Sequence, residues 1–123
     1  CTHCKQPGEV PQDLRKQLEN DLANLPTGVR KASEQEIARF EVFEGSGCTM
    51  CANTGYLGRL AVAEAIQITD QMKKIIYDGF EMSAVKTELE RQEMVNLRQE
   101  AVLALLSGVT SLEEVLRVSE DDL

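Results

Sequence analysis

A chain of 123 residues is long enough for one domain with its own core and short for two. Its hydrophobic content of 42% and charged content of 28% are ordinary for a soluble globular protein, and with aromatics at 4% the core must come from Leu, Ile, Val, Ala and Met. A formal net charge of −8, with 21 acidic against 13 basic side chains and no basic run, excludes a nucleic-acid partner or an anionic lipid patch as the working expectation.

No apolar stretch approaches the roughly 18 residues of a membrane span, so no direct membrane insertion is expected. The opening "CTHCKQPGEV" lacks the basic-then-apolar pattern of a signal peptide. It begins on Cys1 and not on methionine, which leads us to expect a piece of a longer protein.

Cys1 and Cys4 lie on "CTHCKQPGEVP", a polar turn with two prolines and a glycine. Leu14, Leu18, Leu22 and Leu25 follow at helical spacing, with Pro11 ahead of the first turn and Pro26, Thr27 and Gly28 as the expected stop. Residues 29–39 are polar and show no clear period. "FEVFE" at 40–44 alternates in the manner of a half-exposed strand. The second cysteine pair, Cys48 and Cys51, stands on a glycine-rich loop. "RLAVAEAIQI" at 59–68 fits strand or helix, and the flanking glycines and short apolar run favour strand.

From Thr69 onward the pattern is helical. Thr69 or Asp70 caps a first segment that Gly79 stops, and Ser83 caps a second carrying Val85 and Leu89. A third places Leu97, Ala101, Ala104 and Leu105 on one face and ends at Gly108. Thr110 and Glu113 have capping-box spacing for a fourth, and "SEDDL" reads as a solvated, frayed tail. Isolated helices this short are marginal, so they must pack on one another. The expected fold is α+β and mostly α. A small metal-binding knuckle lobe with short strands, residues 1–68, is followed by a bundle of about four short helices, residues 69–123.

All four cysteines fall into two Cys-x-x-Cys pairs, Cys1/Cys4 and Cys48/Cys51, with 43 residues between the pairs. Thiolates at this spacing wrap a tetrahedral ion from two turns, and four cysteines make a structural zinc site. Gly8, Gly45 and Gly47 supply freedom for tight knuckles. Two disulfides are the alternative in a secreted chain. A thioredoxin-like dithiol is a second alternative, although it needs one pair at a helix start and not two matched pairs. His3 lies between the first two cysteines and is read as a spectator. A four-thiolate site leaves no open position for water or substrate, so its expected contribution is folding energy.

Catalytic machinery is not expected. No phosphate-binding loop of the Gly-x-x-x-x-Gly-Lys-Ser/Thr type exists, and the lone histidine sits in a knuckle. Glu88, Glu90, Glu93, Glu113 and Glu114 read as exposed acids on helix faces, and an Arg59–Glu64 pair would be weak because a strand turns them to opposite sides.

"GCTMCANTGYLGRLAVAEAI" at 47–66 resembles the signature Gly-Cys-x-x-Cys-x-x-Thr-Gly-Tyr-x-Gly-Arg-x-Gly-apolar-x-Glu of type II secretion and type IV pilus assembly ATPases. "CTHC" resembles the first half of that family's tetracysteine motif. "MVNLRQEAVLALLSGVTSLEEVLRVS" at 94–119 is similar to its closing segment. Ala61 and Ala101 depart from positions where the family usually has Gly, and the gap between the cysteine pairs is long. The resemblance implies a cytoplasmic, homohexameric motor whose ATP- and Mg²⁺-binding core precedes Cys1, so no nucleotide-binding residue can be assigned here. It implies Zn²⁺ on Cys1, Cys4, Cys48 and Cys51 as a structural ion. The implied partners are the chain's own upstream ATPase core, sibling subunits and an inner-membrane platform protein, which would hold the motor peripherally at that membrane. A free-standing zinc-binding interaction or chaperone-like module is the alternative, and a dithiol redox protein a third.

Overall fold

The structure, a computed structural model, describes residues 1–119. It is α+β and mostly helical. The elements run β1 (Lys5–Pro7), α1 (Gln12–Ala23), α2 (Thr27–Ala32), α3 (Glu34–Arg39), β2 (Phe43–Gly45), a 3₁₀ turn (Thr49–Cys51), α4 (Asp70–Tyr77), α5 (Met82–Arg91), α6 (Leu97–Leu106) and α7 (Leu112–Ser119). The expected frayed tail lies, beyond Ser119, outside the described residues.

Pro11, with φ fixed at −54°, stands at the N-cap of α1, where its missing N–H costs nothing. The leucine stripe then buries Leu18 and Leu22, and Leu25 follows them inward just past the helix end. Pro26 ends α1 as expected but also opens α2, for the same reason that Pro11 opens α1. The patternless run 29–39 therefore holds most of α2 and all of α3. Neither helix has a fully buried residue, and only Val29 and Ile37 lean on the core. Two exposed helices need no apolar stripe, which is why none could be read.

The strand expected at 40–44 is shorter and later. Phe40 is the left-handed C-cap of α3 at φ 45°, Val42 is buried, and β2 begins at Phe43. β2 pairs antiparallel with β1, with Lys5 opposite Gly45, Gln6 opposite Glu44 and Pro7 opposite Phe43.

The main core joins Leu18, Leu22 and Leu25 to Val42, to Ala101, Val102, Leu105 and Leu106 of α6, and to Val115 of α7. α6 carries apolar residues around most of its circumference because it is the central helix. The α4–α5 hairpin has a separate small cluster of Met72, Ile75 and Val85, with Ala84 and Leu89 against it.

Helix ends follow side-chain chemistry with small shifts. Thr69 caps α4 as expected, accepting from the Met72 amide at 3.1 Å, and Gly79 at φ 107° stops it. Glu81, not Ser83, caps α5, accepting from the Ala84 amide at 2.9 Å while the Ser83 hydroxyl donates to it. Asn96 and Gln99 form a capping box at α6. At α7 the hydroxyl that accepts from an amide is Ser111, from Glu114 at 3.4 Å, one residue beyond the expected Thr110–Glu113 pair.

The strand expected at 59–68 does not form. Residues 59–69 belong to no helix or strand, and the β1–β2 ladder runs elsewhere. A strand exists only against a neighbour, and no described strand lies beside this run.

Candidate metal centre

Strand pairing assembles the site. Cys4 immediately precedes β1 and Ser46 immediately follows β2, and the Ser46 amide donates to the Cys4 carbonyl at 3.1 Å, extending the ladder by a rung. The two cysteine turns thus leave the same end of the two-stranded sheet. Cys48 is extended, and the 3₁₀ turn returns Cys51 toward it. Ala52 and Asn53 take positive φ of 51° and 64° to close the knuckle.

Two glycines permit this closure. Gly55 has φ 82°, and a Cβ on it would meet the Gly45 carbonyl oxygen at 2.7 Å. A Cβ on Gly45 would in turn lie 2.7 Å from the Gly55 Cα. Both backbones touch where any side chain would stand.

All four residues named from the sequence converge. The sulfurs of Cys1, Cys4, Cys48 and Cys51 lie within 4.8 Å of one another. Cys1 and Cys48 are 3.8 Å apart, Cys4 and Cys51 3.9 Å, and Cys48 and Cys51 3.7 Å. All are free thiols. Four sulfurs about 2.3 Å from a central Zn²⁺ in a tetrahedron stand about 3.8 Å apart, so the donor set fits that ion. His3 is exposed and stands outside the set.

Backbone amides prepare one of these sulfurs, that of Cys51, to carry charge. The Cys51 Sγ accepts from the amides of Cys48 and Gly55, each at 3.2 Å. Burial alone would raise its thiol, but those amides and the thiols of Cys48 and Cys4 outweigh burial and bring Cys51 down to about 6. Cys4 moves the other way, pushed up by burial and by the adjacent sulfurs of Cys51 and Cys48 against the help of the Gly47 amide.

Two polar contacts tie this lobe to the α6–α7 corner and had no sequence signal beyond the local Thr-Gly-Tyr. The Tyr56 hydroxyl hydrogen-bonds the Ser111 hydroxyl, and Lys5 Nζ donates to the Gly108 carbonyl at 2.7 Å. Glu88, expected on an exposed face, is instead 2% exposed, because α4 and the chain before it cover that side of α5. Arg59 and Glu64 form no ion pair among the described residues. Glu64 accepts from the Leu97 amide at 2.6 Å and serves the start of α6. No described helix is long and apolar enough to cross a membrane.

The sequence profile of the family described as "Type II/IV secretion system protein" matches residues 1–117, which includes both cysteine turns, α1 to α6 and most of α7 in order. The chain belongs to that family. Among its curated relatives, the type IV pilus assembly ATPase PilB of Thermus thermophilus is 34% identical over 118 residues, 94% of this chain and 12% of its own length. PilB of Pseudomonas aeruginosa is 31% identical over 121 residues, 98% of this chain and 19% of its own. The type II secretion system protein E of Aeromonas hydrophila is 30% identical over 122 residues, 99% of this chain and 21% of its own. The chain therefore spans about a fifth or less of the length of these relatives. In this secretion-family chain, the residues from Gly47 to Arg59 that carry the resemblance are the same ones that close the thiol cluster and reach the α6–α7 corner through Tyr56.

Proposed function

We propose that this chain is the non-catalytic, zinc-binding C-terminal part of a cytoplasmic, hexameric ATPase motor that works at the inner membrane in type IV pilus assembly or type II secretion. The observation that carries the reading is the convergence of four free thiols within 4.8 Å in a chain of the type II/IV secretion family. Cys1, Cys4, Cys48 and Cys51 hold Zn²⁺, which supplies a cross-link between the two knuckles. ATP and Mg²⁺ belong to the core that precedes Cys1, and the lobe transmits the nucleotide state of that core to a platform protein. An acidic surface, at net charge −8, suits a protein partner with basic patches and not a nucleic acid.

Elemental analysis of the purified protein tests this. One zinc per chain is expected, lost in Cys48→Ser, together with no ATP hydrolysis by residues 1–123 alone. A metal-free protein whose cysteines cycle through a disulfide would establish the dithiol redox reading instead.

A further inference from the structure

The four thiols are alike in chemistry and unlike in surroundings. Cys51 is buried, and its sulfur accepts from two amides, those of Cys48 and Gly55, each at 3.2 Å. Its carbonyl is held as well, by the Thr54 hydroxyl at 2.7 Å. Cys4 is built into the end of the β1–β2 ladder, where its carbonyl accepts from the Ser46 amide at 3.1 Å and from the Ser46 hydroxyl at 3.2 Å. Displacing either residue breaks these bonds.

Cys1 is placed differently. It is half-buried and lines a groove of about 680 Å³ that runs between residues 56–60 and the α6–α7 pair, with Ala104 and Val115 on the far wall. Among the described residues no amide donates to its sulfur, which stands 3.8 Å from that of half-buried Cys48. The sulfurs of Cys48 and Cys51 are as close, at 3.7 Å, so separation alone does not choose a reactive pair. Access and attachment do, since a small solute in the groove meets Cys1 and not the enclosed sulfur of Cys51.

We propose that Cys1 and Cys48 are a reversible oxidation site, at which a peroxide entering the groove joins the two knuckles by a disulfide and frees the bound ion. This rests on the reading of Cys1, Cys4, Cys48 and Cys51 as zinc ligands. The Cys1 sulfur attacks one peroxide oxygen, the O–O bond breaks and hydroxide leaves, which gives a sulfenic acid. The Cys48 sulfur then attacks the sulfenic sulfur, the S–O bond breaks and a second hydroxide leaves. The two sulfurs lose two electrons, peroxide gains them, and two protons turn the hydroxides into water. Cys4 and Cys51 remain, two thiolates where a closed site needs four, so the ion is released while the knuckles stay tied. Small-molecule thiols reverse the change, two of them being oxidised to their own disulfide as Cys1 and Cys48 are reduced.

The full-length protein, purified with its zinc under reducing conditions, is treated with equimolar and then excess hydrogen peroxide. Freed zinc is followed with a chromogenic chelator too weak to strip the reduced protein, the remaining thiols are alkylated, and peptide fragmentation locates the disulfide. The expected result is one zinc freed per disulfide formed, a Cys1–Cys48 link, and alkylated Cys4 and Cys51. Dithiothreitol followed by added zinc should restore the original metal content. Zinc retained under excess peroxide, a disulfide within one knuckle or between Cys4 and Cys51, or sulfinic acid at Cys1 without a link overturns the oxidation site and leaves the zinc reading standing. Protein that carries no zinc before peroxide is added overturns both.

Discussion

Glu88 is a carboxylate with almost no water and four donors. Arg91 reaches it twice, Nε to Oε2 and Nη2 to Oε1, each at 2.7 Å, and the Thr69 hydroxyl and Gln92 amide reach Oε1 at 2.6 and 3.0 Å. The Arg91 hydrogen bonds first, then those of Thr69 and Gln92, hold its carboxyl at about 2 against the opposing effect of burial. An unfolded chain returns that carboxyl to about 4.3. The stabilisation is therefore complete above the unfolded value and is lost as pH falls through the folded one. Melting temperature measured from about pH 5 down to about pH 2.5 should fall more steeply for the natural protein than for Glu88→Gln, which cannot titrate. At neutral pH the variant should melt roughly 5 °C lower, because a buried acceptor keeps its shape and loses its charge-assisted bonds. Equal slopes for the two proteins would show that the network does not report on folding.

At the scale of elements, the cysteine lobe and the α6–α7 corner are joined by long-range stitches. Tyr56 lies five residues past the last knuckle sulfur and Lys5 one residue past Cys4, while Ser111 and Gly108 belong to one corner. Lys5 also lies 4.2 Å from the centre of the Phe43 ring, so the same cation braces the neighbouring strand β2. Tyr56→Phe keeps the ring and removes the hydroxyl. It should cost about 1 kcal/mol, since buried Ser111 loses a partner, with metal content unchanged. Zinc loss in that variant would place Tyr56 in the knuckle's own folding. The elements also show where local sequence suffices. The leucine stripe of α1, Thr69 and Gly79 around α4, and both cysteine turns carry their chemistry within a few residues, so they could be read directly. The burial of Glu88, the Tyr56–Ser111 contact and the helical state of 27–39 depend on what arrives from elsewhere in the chain. The run 59–68 is the converse case, in which a strand pattern finds no described neighbour to pair with.

For the whole molecule, two apolar clusters divide the consequences of metal loss. The main core gathers α1, Val42, α6 and α7, while Met72, Ile75 and Val85 hold the α4–α5 hairpin by themselves. The β1–β2 ladder has only three paired positions, too few to hold its register in water unaided. A structural zinc contributes on the order of 10 kcal/mol to folding. A strong chelator should therefore speed exchange across residues 1–55 and leave α4–α5 protected. Melting and exchange both indifferent to the chelator would mean that the thiols hold nothing.

A metal held by Cys4 and Cys48 would make the 43 residues between them a detour that departs from and returns to one point, with α1 laid against α6 on the way. Its outer stretch, α2 and α3, has no fully buried side chain. Each doubling of a closed loop's length costs only about 0.6 kcal/mol in entropy. Related proteins are then free to trim or extend this outer arc, and a tag or reporter domain spliced at Ser33 should leave the four-thiol cluster undisturbed.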